Sequence, residues 1–202
     1  MSSPAPLIYI NAFRGVGKLT IARSLHSLLP GSRILHNHEL IDPVEQHYSR
    51  DHPDYTAQRT AYRRHRLRAV AEDPGLTYIF TDAQTEWNDC VADYHALSNL
   101  PVWRRFFSVV LECEVQENQR RLVSVESGGG RNGKLVDPEV LRALREAREI
   151  WRFGGRDEMV LDVTDLGVEE AAGRIARFLK GRLRMEELSV GGDFEASVQQ
   201  IS

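Results

Sequence analysis

The chain has 202 residues, 42% hydrophobic and 27% charged, with a formal net charge of −3. That is the size of one domain with a sizeable core, and the near-neutral balance gives no general pull toward nucleic acid or an anionic membrane. No apolar run is long enough to span a bilayer, and no charged segment precedes an apolar one at the N-terminus, so neither an anchor nor a signal peptide is expected.

PLIYINA, residues 6–12, is short, apolar and flanked by loop formers, and predicts a buried strand. From Thr20 the period changes: Ile21, Ala22, Leu25, Leu28 and Leu29 line one side of a helix that ends before Pro30-Gly31. Further strands are predicted at 32–37 (SRILHN), 76–82 (LTYIFTD), 106–113 (FFSVVLEC) and 158–165 (EMVLDVTD). Helical patterns separate them at 56–72, 139–151 and 168–180. This alternation predicts a three-layer α/β/α fold around a five-stranded, mostly parallel sheet.

Two connections stand out. Residues 39–75 form a long polar crossover with an arginine-rich helix, and 120–138 (RRLVSVESGGGRNGKLVDP) carry a triple glycine with few apolar anchors. The second reads as a mobile lid, or as a plain surface insertion. The domain is expected to span 1–183, with 184–202 a polar tail. Cys90 and Cys113 suit a reducing compartment, the cytoplasm, as small buried side chains rather than as a disulfide.

The stretch INAFRGVGKLTIARSL, residues 10–25, almost spells the phosphate-binding pattern G-x-x-x-x-G-K-[ST]. Such a loop works because a strand ends, glycines turn the backbone tightly, and successive amides converge on phosphate oxygens at a helix N-terminus. Gly15 and Gly17 supply the freedom, Lys18 reaches the terminal phosphates, and the cradle runs over Arg14, Gly15, Val16, Gly17, Lys18, Leu19 and Thr20. Two positions depart from the pattern: Ala12 stands at the first glycine, and Leu19 replaces the hydroxyl that normally faces magnesium. Thr20 cannot simply take that point, because one helical step turns direction by roughly 100°. A carboxylate arrives elsewhere, since the strand LTYIFTD ends in Asp82. Asp82 and Thr20 are therefore the metal candidates, with Thr81 placed to hold a metal-bound water.

On these residues the chain resembles the superfamily of P-loop small-molecule and nucleoside-monophosphate kinases, which includes shikimate- and adenylate-kinase-like enzymes. It looks most like small bacterial and fungal proteins labelled P-loop or AAA-type ATPases, which share the G-K-L-T loop and a segment like His36-Asn37-His38. The resemblance covers roughly 6–180 and implies ATP and Mg²⁺ as cofactors. It also implies that Arg120 lies near the base, that Arg121, Arg131 and Lys134 meet phosphates on lid closure, and that Thr164 and Asp165 line the base.

The acceptor pocket is expected to begin at the end of the second strand, where LHNHELID supplies His36, His38, Glu39 and Asp42. His38 or Glu39 would wall the substrate site and take a hydroxyl proton. A zinc reading of the histidine pair lacks a third ligand. Arg59, Arg63 and Arg66 offer a helical face that grips an anionic substrate, or that is merely solvated. Tyr48, Tyr55, Tyr62 and Trp87 are candidates to stack on an acceptor, or ordinary packing. The expected function is transfer of a phosphoryl group from ATP to a small hydroxyl-bearing molecule, anionic or neutral, by a monomer or homodimer, with nucleic acid the less favoured acceptor. Two rivals are a nucleoside-triphosphate hydrolase and an inactive nucleotide-binding regulator.

Overall fold

In the computed structural model, residues 4–99, 103–124 and 137–198 are described. The five strands are β1 (Leu7–Asn11), β2 (Ser32–His36), β3 (Thr77–Asp82), β4 (Phe106–Glu112) and β5 (Glu158–Asp162), ordered β2-β3-β1-β4-β5. Every pairing is parallel. Parallel strands need crossovers that cover both faces, which is why the sequence shows apolar runs rather than strict alternation.

β1, at the centre, is buried throughout and shares its side chains between two cores. Ile8 and Ile10 pack against Ile21, Ala22 and Leu25 of α1 (Lys18–Leu28) and against Ala172 and Ile175 of α7 (Val168–Val198). Leu7 and Tyr9 face the other way, onto Leu67 and Val70 of α3 (Tyr55–Ala71) and onto Cys90 and Tyr94 of α4 (Asp89–Ala96). The helices that follow β1 and β3 thus leave toward opposite faces, and a crevice opens at the C-terminal ends of these neighbouring strands. Register sets Asn11 beside Asp82 and Thr81 beside His36 along that edge.

The local pattern needs correction at several points, among them α4, which no predicted helix covers, and the helix predicted over 139–151, which stops at Ala147. Leu28 is 45% exposed, because α1 unwinds there into a turn at Gly31. The polar crossover contains a second helix, α2 (Asn37–Glu45), which begins directly after β2 and carries Pro43 inside it. Residues 115–124 form α5 (Val115–Ser124), so the start of the expected lid is helical, and α6 (Pro138–Ala147) resumes after it under an Asp137 N-cap. The helical backbone of α7 continues past 184 to Val198, where a tail is expected. Residues 125–136, the body of that lid, lie outside the described residues. Cys90 and Cys113 are free and buried.

At the opposite end of the sheet, Arg104 is 1% exposed and acts as a staple. Its guanidinium donates to the carbonyls of Ala5 (2.8 Å), Val70 (3.0 Å) and Leu76. It thereby joins the entry to β1, the end of α3 and the entry to β3, adding a donor to the Val70 carbonyl, which also accepts from Asp73 N at 3.3 Å. Among the described residues, no helix is long and apolar enough to cross a membrane.

Candidate phosphate and acceptor site

The chain leaves β1 and turns through residues 12–17 into α1. Gly15 has φ +82° and Gly17, the N-cap of α1, has φ +104°. Both lie in the left-handed region that side chains disfavour. At Gly15 a Cβ would also come within 2.9 Å of the Asn118 amide and of Leu122 Cβ, so helix α5 packs directly on the turn. Ala12 is fully buried, and Val16 is 1% exposed, so Val16 gives the loop its backbone while its side chain joins the core.

Contacts far along the chain fix the loop. Asn118, wholly buried, donates to the carbonyl of Arg14 at 2.8 Å and accepts from Arg145 at 2.7 Å. The Lys18 ammonium donates to the carbonyls of Ala12 and Phe13, both at 2.9 Å. Burial, with the charge of Arg14 adding to it and Asp82 opposing it, lowers the Lys18 pKa to about 8.

Lys18 and Asp82 line one cavity of about 580 Å³, with Gly15, Gly17, Leu19 and Thr20 on the loop side. Thr81, Asn37 and Gln84 complete the edge of the sheet. Asp82 is 1% exposed and well held: its Oδ1 accepts from Asn37 Nδ2 (3.1 Å), Ala83 N (2.8 Å) and Gln84 Nε2 (3.0 Å). Cys90 Sγ donates to Oδ2 at 3.4 Å. Asn11 holds the same segment, donating to the carbonyls of Gln84 (2.9 Å) and Trp151 (3.1 Å) and accepting from Gln84 N (2.8 Å).

This donor set suits a particular kind of metal binding. Among the described residues no three His, Cys, Asp or Glu gather into a metal-holding group. With both Asp82 oxygens engaged and Leu19 offering only hydrocarbon, the residues fit a magnesium ion that stays water-clad on a nucleotide's phosphates. Asp82 and the Thr20 hydroxyl would then hold its water shell.

The cavity continues to α2 and α3, where His36, His38, Asp42, Glu45, Tyr55 and Arg59 line it. His38 Nδ1 lies 3.3 Å from Asp42 Oδ1. Glu39 needs correction: it does not line the cavity. Its Oε1 accepts from His36 N at 3.3 Å at the start of α2, and Oε2 lies 3.8 Å from Arg66. The arginine face also divides. Arg63 is buried against Asp93 (2.7 Å), Arg64 pairs with the same carboxylate (3.0 Å), and only Arg59 turns to the cavity. Of the candidate stacking residues, Tyr55 lines it, whereas Trp87 packs on Trp151 and Phe153.

A second cavity, about 650 Å³, brings Arg120, Arg121, Thr164 and Asp165 together. Arg121 is not aimed at phosphates here. It donates to Glu117 (2.6 Å) and to the carbonyls of Val16 (3.3 Å), Val163 (2.8 Å) and Thr164 (2.7 Å), tying the phosphate loop to the segment after β5. Hydrogen bonds from Arg120 and Arg121 hold the Glu117 carboxyl down to about 2. Arg131 and Lys134 lie outside the described residues.

A strand–glycine turn–helix cradle at the centre of a five-stranded parallel sheet is the architecture of the P-loop kinases, and the chain has that fold. No protein-family model matches the sequence, and no curated protein does. Solved structures match over nearly their whole length. A sugar kinase from Janibacter sp. superposes with a TM-score of 0.58 at 16% identity, over 88% of this chain and 95% of its own. A shikimate kinase from Acinetobacter baumannii, solved with shikimate, gives 0.55 at 16% identity over 88% and 94%. A gluconokinase from Sinorhizobium meliloti gives 0.54 at 15% identity over 90% and 99%.

Proposed function

We propose that this protein is an ATP-dependent phosphotransferase that moves the terminal phosphoryl group onto a hydroxyl of a small molecule. The observation that carries this reading is the continuity of one cavity from Lys18 and Asp82 to the side chains of α2 and α3. A hydrolase needs room there only for water. The sugar, shikimate and gluconate kinases with the same fold support the reaction class.

The loop amides and the N-terminus of α1 would receive the phosphates, and Lys18 would exchange its two carbonyl partners for phosphate oxygens. Magnesium, when bound with the nucleotide, would neutralise charge on the phosphates. His38 is the candidate base. With its Nδ1 turned to Asp42, Nε2 is left to accept the acceptor's hydroxyl proton as the new O–P bond forms and the bond to the nucleoside diphosphate breaks. Arg120, Thr164 and Asp165 would border the base in the second cavity.

The test supplies ATP and Mg²⁺ with a broad metabolite and oligonucleotide mixture and reads masses for products heavier by one phosphoryl group. A modified small molecule, lost in Lys18→Ala, is the expected result. Release of phosphate alone, undiminished without acceptors, would identify a hydrolase.

A further inference from the structure

Resting on the phosphotransferase reading, we propose that the acceptor carries its own dianionic oxyanion, a phosphomonoester in the simplest case, gripped by Arg14, Arg50 and Arg59. These three arginines come from separate parts of the chain: the phosphate loop, the connection after α2, and α3. All three line the cavity that also holds Lys18 and Asp82.

Their charges are poorly compensated. Arg50 Nε donates to Glu45 Oε1 at 2.7 Å, and Tyr55 OH donates to the same oxygen at 3.0 Å. Among the described residues, the side chains of Arg14 and Arg59 make no ion pair and no hydrogen bond. The other lining carboxylate of α2, Asp42, is turned to His38. Three guanidiniums therefore surround one carboxylate, which leaves two positive charges without a counter-ion. They are close enough to repel: the Arg14 pKa is lowered by burial first, then by Arg50 and Arg59.

The contrast along α3 gives this meaning. Arg63, one turn beyond Arg59, is neutralised by Asp93, and Arg66 faces Glu39. The neighbouring helices α4 and α2 thus supply partners for Arg63 and Arg66, and neither supplies an ion-pair partner for the arginine in the cavity. A nucleotide's own phosphates do not need this set, since Lys18, the loop amides and the start of α1 already serve them. Two uncompensated guanidiniums match a doubly charged group, and their planar forks suit the tetrahedral oxygens of a phosphate.

The experiment first fills the nucleotide site with AMP-PNP and Mg²⁺, followed by calorimetry. Glycerol 3-phosphate, phenyl phosphate, inorganic phosphate, acetate and glycerol are then titrated into that complex. The expected result is saturable binding of at least one phosphate probe, with acetate and glycerol much weaker. Arg59→Ala should weaken that binding at least tenfold and Arg59→Lys less, while AMP-PNP still binds and the unfolding midpoint holds. No binding of any phosphate probe, acetate binding as tightly as phosphate, or an affinity unchanged in R59A overturns the inference and leaves the phosphotransferase reading intact. Failure of AMP-PNP to bind the parent protein overturns both.

Discussion

Asn118 donates to the carbonyl of Arg14 at 2.8 Å, across 104 positions of sequence, and makes the phosphate loop and α5 one unit. Gly15 lies under that helix with no room for a Cβ. Gly15→Ala must therefore either push α5 away or distort the loop, on top of the strain of its positive φ. A loss of about 2–3 kcal/mol is expected, with AMP-PNP affinity reduced at least tenfold. Denaturant melts and calorimetry of the same variant check both.

The Lys18 pKa of about 8 gives nucleotide binding a pH signature. Bound phosphates favour the charged amine, so binding takes up a proton wherever the free protein has lost it. Affinity should be flat below pH 8 and fall as pH rises beyond it. Calorimetry in buffers of different ionisation enthalpy should register that uptake, and Lys18→Met should abolish it. The stability sign is opposite: the unfolded lysine holds its proton up to its ordinary value, so this group lets stability rise between about pH 8 and 10.5.

Arg104→Ala should strip the guanidinium donor from the carbonyls of Ala5, Val70 and Leu76, of which Val70 keeps Asp73 N at 3.3 Å. A loss of about 3 kcal/mol is expected. That corresponds to a Tm roughly 6–12 °C lower for a chain this size. AMP-PNP affinity in the folded protein should not change, because the staple sits at the end of the sheet away from the loop.

Leu19→Ser restores a hydroxyl at the first turn of α1. If the Mg²⁺ of the nucleotide complex lacks that contact, the Mg²⁺ concentration for half-maximal AMP-PNP binding should fall several-fold. An unchanged midpoint would mean that Thr20 and Asp82 already complete the water shell.

All five strands were legible in the sequence because buried parallel strands are short apolar blocks bounded by loop formers. Lys18 and Asp82 were legible because each ends or begins an element whose period is clear. Helices α2, α4 and α5 were not. They are short and largely polar, and α5 buries only Asn118 and Leu122 among its described side chains. Glu39 reads as a wall residue because the cap it makes to His36 N, three positions back, starts from a histidine and not from the usual Ser, Thr, Asp or Asn. The roles of Arg59 and Arg63 could not be separated for a different reason: the carboxylate that neutralises Arg63 lies 30 positions away, on α4. Asn118, Arg145 and Asn11 carry no local signal, since their partners are backbone groups or side chains that only the fold brings near.

The crossbar at Asn11 also gives the protein an optical reporter. Asn11 accepts from Gln84 N and donates to Trp151 O, Trp151 N donates to Gln84 O at 2.9 Å, and the Gln84 amide touches Asp82. The Trp151 and Trp87 rings lie 5.6 Å apart, centre to centre. An event that redirects the Asp82 carboxylate is therefore expected to shift the emission of this indole pair, read against the constant signal of the exposed Trp103.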